Sequence, residues 1–182
     1  MYPGEAETLE ISREEVLKKL PAIPEGLKSS ASVIESFIET SHKTTRILLA
    51  HLSFALNLPQ LADFHHDDQT NDCGLKIEAV HMVEKLEDVP PSEHTDNGTI
   101  TLLYCPEFTT EVRVPGTETW GFIVPKPGHA IVNVANSLQT LSNGELLSCL
   151  HRVGQPAPGA KKRFCVLYYL RPDTGRDLKS AA

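Results

Sequence analysis

A chain of 182 residues, 40% hydrophobic and 23% charged, carries enough apolar material for one packed core, which excludes a disordered chain and makes one main domain the expectation. A formal net charge of −7 and a pI near 5.6 give no broad attraction to phosphate backbones or anionic lipid, so neither nucleic acid nor a membrane surface is an expected partner. No apolar run reaches the length of a bilayer span and no basic, then apolar, start marks a signal peptide; Cys73, Cys105, Cys149 and Cys165 contain no CxxC pair and read as reduced thiols of a cytoplasmic protein.

The first third reads as helical. Ser12 and Glu15 fit a capping box, with Val16, Leu17 and Leu20 as the buried edge of a short helix and Pro21 as its stop. A longer helix starts near Ser30 and carries Ile34, Phe37, Ile38, Ile47, Leu48, Leu52, Ala55 and Leu56 at helical spacing, until Asn57-Leu58-Pro59 closes it. Residues 61–74 are polar, without periodicity, and read as a connector. Strands follow at about 75–82, 99–105, 110–114, 120–123, 129–134, 147–153 and 163–170, divided by Pro, Gly and Asn clusters. Many short strands argue for a sandwich or barrel, with the helices as a layer on it. The expected organisation is thus a helical segment over 1–60, the connector over 61–74, a β core over 75–172 and an untethered polar tail over 173–182.

Chemistry enters with His-x-Asp, which occurs three times: His94/Asp96, His65/Asp67 and His66/Asp68. Two positions apart in an extended segment, both side chains leave the same face, so one strand end can supply two metal ligands. The His65–Asp68 cluster sits in the connector and reads as a solvated loop. His94-Thr95-Asp96 instead leads through the Asn97-Gly98 turn into the apolar run Thr99–Leu103, which would hold ligands at the rim of a core. His151 on a later strand would complete two imidazoles and a carboxylate on one face of a six-coordinate ion, an arrangement suited to ferrous iron. Arg163 opens a strand that otherwise looks buried, Arg163–Leu170. Pointing inward, it needs an anion, and a carboxylate satisfies it bidentately; pointing outward, it belongs with Lys161 and Lys162 to a basic turn.

The run from His94 to Leu103, Trp120–Gly128, Asn133, Leu138-Gln139, Ser142–Gly144, His151-Arg152-Val153, Arg163-Phe164-Cys165 and Leu170-Arg171-Pro172 together resemble the 2-oxoglutarate and iron(II)-dependent dioxygenases related to isopenicillin N synthase. The resemblance covers nearly everything from Leu75 to Pro172. It implies a double-stranded β-helix of jelly-roll type preceded by helices. It also implies His94, Asp96 and His151 as iron ligands, Arg163 and Cys165 at the distal carboxylate of 2-oxoglutarate, and O2 as oxidant with ascorbate as an auxiliary reductant. The implied reaction hydroxylates or desaturates a small organic molecule and releases succinate and CO2.

The chain departs from the pattern in places. Cys165 stands where relatives carry serine, Val80 where many carry a tyrosine that touches the same carboxylate, and Ala135-Asn136 where glycine and aspartate are usual, read here as a turn variation. The helical region is also short for the family. These departures keep two other readings open: an iron oxidase in which Arg163 holds the substrate's own carboxylate, and a non-catalytic barrel that binds a metal or a partner. Nothing in the sequence specifies the oligomeric state.

Overall fold

The computed structural model describes residues 6–19, 23–89, 91–159 and 161–178, and the alternation along its last strand divides the molecule in two. In β8 (Lys162–Leu170), Tyr168 and Leu170 are fully buried on one face, while Arg163, Cys165, Leu167 and Tyr169 line a cavity on the other. This strand sits at the centre of a five-stranded sheet in the order β1 (Ala6–Ser12), β2 (Gly74–His81), β8, β3 (Ile100–Tyr104) and β6 (Ile131–Val134). A three-stranded sheet, β5 (Trp120–Phe122), β4 (Thr110–Arg113) and β7 (His151–Val153), forms the second wall. The result is the expected mainly β fold with a helical layer, a double-stranded β-helix.

The helical layer is α2 (Ala31–Leu56), which lies against β8 and β3 and ends on Asn57 in the left-handed conformation. Its buried stripe is Ile34, Ile38, Ser41, His42, Thr45 and Leu49. The sequence pattern had placed Ile47 in that stripe, but Ile47 is exposed, because three polar positions in the stripe hide its true phase. Those polar groups are satisfied: Thr45 donates back to Ser41 O, and His42 Nδ1 meets the Tyr168 hydroxyl at 2.8 Å. Phe37 packs edge-on against Tyr104, ring centroids 5.1 Å apart.

The N-terminal segment is more than helical. β1 pairs antiparallel with β2 along its whole length and buries Ile11. The sequence shows it poorly, since Leu9 and Ile11 are its only large apolar side chains. Ser12 then caps the short α1 (Arg13–Leu17), its Oγ accepting from Glu15 N as the capping box predicts; Leu20 and Pro21 lie outside the described residues. A third helix, α3 (Asn136–Leu141), occupies what had read as a turn variation and buries Leu138 and Leu141. The strand expected over 147–153 is confined to His151–Val153.

Two expectations for the flanking segments are corrected. The connector is only partly solvated: residues 66–70 are exposed, whereas Leu61, Phe64, His65, Asn71 and Cys73 are buried in it. Nor is the region after Leu170 untethered, because Asp173 accepts from both the amide and Nδ1 of His66, and Arg171 stacks over Tyr169. Short polar stretches read as solvent-facing by composition, yet here His65, His66 and Asp67 have partners that lie far away in sequence.

Candidate metal centre

Backbone pairing brings the candidate ligands together at one rim of the cavity. His94 and His151 form an isolated antiparallel bridge in which each amide donates to the other's carbonyl at 2.9 Å. Their rings stand 4.3 Å apart. Asp96 lies two residues on and is buried, and Gly98 then turns the chain at φ 109° into β3. Only glycine fits there, since a Cβ would meet Leu170 O at 2.9 Å in a backbone region that side chains rarely adopt. Asp96 Oδ1 lies 3.7 Å from His94 Nε2 and 3.6 Å from His151 Nε2. Among the described residues no other group of three or more His, Cys, Asp or Glu ligand atoms converges in this way.

Neighbouring carbonyls set the chemistry of the two imidazoles. Nδ1 of His94 donates to Ser92 O at 2.7 Å and Nδ1 of His151 to Cys149 O at 2.9 Å, which leaves both Nε2 lone pairs turned to the shared space. Asn133 Nδ2 donates to Asp96 Oδ2 at 2.7 Å, so Oδ1 is the oxygen left free for an ion. Two neutral imidazoles and one carboxylate on a single side suit a divalent first-row metal with open positions, ferrous iron above all. Asn133, Ser92 O and Cys149 O were not assigned these roles from the sequence; the period-two alternation of β6 is the signal that could have placed Asn133 beside Asp96.

The cavity, of about 390 Å3, continues from the two histidines along the inner face of the large sheet past Tyr169, Leu167 and Cys165 to Arg163. Arg163 points inward, not into a basic turn, and is 4% exposed. Its Nη1 donates to Thr109 Oγ1 and reaches Cys105 Sγ at 3.7 Å, Nη2 stands 3.9 Å from Cys165 Sγ, and Nε has no partner. Among the described residues no carboxylate lies within 4 Å of it. The Cys165 thiol cannot supply the missing charge. Burial pushes Cys165 up to about 12, opposed by the Arg163 guanidinium and reinforced by Glu78, so it stays neutral. A buried, unpaired guanidinium is costly by several kcal/mol, and this one fits an anion entering through the cavity.

The strand register also locates the two departures. Val80 lies directly across the ladder from Arg163, and Cys165 directly across from Glu78. Cys165 Sγ donates to Glu78 Oε2 at 3.4 Å. In the remaining His-x-Asp motifs, His65, His66 and Asp67 are engaged within the fold. His65 bonds Leu61 O and Thr99 Oγ1, His66 bonds Asp173, and Asp67 accepts from His42 Nε2 at 2.8 Å.

Residues 63–172 match the family model of the 2OG-Fe(II) oxygenase superfamily. The chain is 31% identical over 184 residues to the 2-oxoglutarate-dependent dioxygenase frbH of a Dothideomycetidae species, covering 98% of this chain and 57% of the relative. It is 29% identical to the 2-oxoglutarate-dependent dioxygenase iboH of Amanita muscaria, over 86% of this chain and 80% of that protein. A full-length Neurospora crassa protein solved in complex with alpha-KG superposes with a TM-score of 0.78 at 22% identity, covering 93% of this chain and 55% of that one. The auxin-oxidising dioxygenase AtDAO1 of Arabidopsis thaliana, solved with 2-oxoglutarate, gives 0.71 at 20% identity over 97% and 68%. The chain therefore belongs to the 2OG-Fe(II) oxygenase superfamily. It spans little more than half the length of two of these relatives. Among the described residues no helix is long and apolar enough to cross a membrane.

Proposed function

We propose that this chain is an iron(II)- and 2-oxoglutarate-dependent dioxygenase that hydroxylates or desaturates a small organic molecule. In this reading His94, Asp96 and His151 hold Fe(II), and Arg163 takes the distal carboxylate of 2-oxoglutarate. The observation that carries it is the buried Arg163, its Nε bare, facing the same cavity as three converging ligand atoms. Fe(II) held there would supply O2 activation, with O2 as the oxidant, 2-oxoglutarate as the two-electron reductant that leaves as succinate and CO2, and ascorbate as an auxiliary reductant.

The protein's own residues do the rest. Ser92 O and Cys149 O keep His94 and His151 in the tautomer that presents Nε2, and Asn133 fixes the Asp96 carboxylate. Thr109 orients the Arg163 fork. Leu103, Leu167 and Val80 line the cavity with apolar surface that excludes water, where each polar contact is stronger than it would be in bulk. Cys165 flanks the guanidinium and offers the co-substrate a packing surface, since its thiol is engaged by Glu78. A volume of about 390 Å3 suits a small-molecule substrate. The free thiols Cys73, Cys105, Cys149 and Cys165 support a reducing, cytoplasmic setting. The relatives' names favour use of 2-oxoglutarate over the oxidase that dispenses with it and over the non-catalytic barrel.

The test is 2-oxoglutarate turnover under air with Fe(II) and ascorbate. Succinate should form, and Asp96→Ala should reduce its rate at least a hundredfold. Oxygen uptake without succinate, or succinate formation that survives Asp96→Ala, contradicts the proposal.

A further inference from the structure

The inner face of β2 carries two charges that neither the metal triad nor the Arg163 subsite uses. Lys76 and Glu78 both line the cavity and are largely withdrawn from solvent, their side chains 22% and 16% exposed. Strand periodicity puts them on the same face as Val80. In the β2–β8 ladder Val80 is opposite Arg163 and Glu78 opposite Cys165, so Glu78 and Arg163 are diagonal neighbours on one face. Diagonal positions lie about 7–8 Å apart, well within the span of a glutamate and an arginine. A buried arginine with no counter-charge beside a glutamate that can reach it should form an ion pair.

It does not. Glu78 Oε1 pairs with Lys76 Nζ, and Oε2 accepts from the Cys165 thiol, so both carboxylate oxygens are engaged away from the guanidinium. Arg163 keeps its Nε bare and has only hydroxyl and thiol neighbours. Left free, a carboxylate tethered on the adjacent strand would act on Arg163 at an effective concentration on the order of millimolar or more, in direct competition with a diffusing dicarboxylate.

We infer that Lys76 is a positioning residue that holds Glu78 off Arg163 and so keeps the co-substrate's carboxylate site open. The inference rests on Arg163 being that site, as proposed above. It assigns Lys76 a role exerted through Glu78, without contact to the co-substrate. It also accounts for Cys165: a thiol that donates to Glu78 is a second restraint on the same carboxylate.

Binding of 2-oxoglutarate to the Mn(II)-loaded protein by titration calorimetry reads this directly, without turnover. Lys76→Met should weaken binding about tenfold or more, and adding Glu78→Gln should restore it to within about threefold of the unsubstituted protein, because the competing charge is gone. Lys76→Gln, which keeps the wall polar, should show the same loss and the same recovery should methionine disturb folding. Lys76 variants that bind within threefold of the unsubstituted protein, or double variants as weak as the single ones, overturn the inference; the second result would make Lys76 a direct ligand or a structural strut. If the unsubstituted protein fails to bind, or Arg163→Met leaves binding unchanged, the reading of Arg163 itself falls, an outcome distinct from any given by the Lys76 series.

Discussion

At the scale of single residues, the site depends on what orients each ligand as much as on the ligands. Asp96 has two oxygens, and the Asn133 amide takes one of them, which decides the other's direction. Removing such a partner leaves the ligand in place but frees it to rotate, and losses of roughly 10–100-fold in metal affinity are typical. Asn133→Ala should therefore weaken Mn(II) or Fe(II) binding by about tenfold or more with an unchanged far-UV circular dichroism spectrum. An unchanged affinity would show that Asp96 is held by its backbone alone. The residues most legible in the sequence were those whose chemistry is rare in context: His94, Asp96 and His151 at a strand rim, and Arg163 within an apolar run. Lys76 and Glu78 were not legible, because charged side chains on a strand ordinarily face water and only the ladder register shows that these face a cavity; nor was Thr109, whose contact with Arg163 bridges 54 positions of sequence.

Among elements, the helices and strands carried by strong periodicity were read well, and those stabilised by distant partners were not. β2, β3, β4 and β8 fall within a residue or two of the sequence reading. β1 and α3 were missed because their support is tertiary: β1 leans on the ladder to β2, and α3 on the burial of Leu138 and Leu141. The connector shows the same lesson in polar form. His65 reaches from Leu61 O to Thr99 Oγ1 and so ties the segment before β2 to the entry of β3, next to the ligand turn. Burial depresses its pKa to about 4, and burial together with Arg13 lowers His42 as well. The unfolded chain then binds more protons than the folded one below about pH 6.5, so stability should fall as pH drops from about 6.5 to 4. His65 alone contributes up to about 3 kcal/mol to that loss. Urea unfolding at pH 7 and pH 4.5 should show it, and His65→Gln should flatten the difference. A stability unchanged over that range would mean that both histidines take up protons as readily in the fold as in the unfolded chain.

For the whole molecule, the two sheets divide the work. The large sheet turns one face to α2 and builds a core around Tyr168, Leu102 and Ile100, while its other face and the small sheet enclose the cavity. The proposed metal ligands come from the rim where a bridge joins His94 to His151, and the proposed anion site lies farther along the central strand. With a net charge of −7 the molecule as a whole repels a dianionic co-substrate, so the attraction must be local, and Arg163 is the buried cation of the cavity placed to supply it. The sequence conveyed this division through the order of its strands and the two chemical landmarks at either end of the cavity, but not the path between them. Anaerobic titration of the metal-free protein with Fe(II) and then 2-oxoglutarate tests the central claim most directly. The account predicts a visible charge-transfer band that develops to one equivalent, disappears in His151→Ala, and needs a higher 2-oxoglutarate concentration in Arg163→Met. A folded protein that gives no band, or a band that persists in His151→Ala, would contradict it.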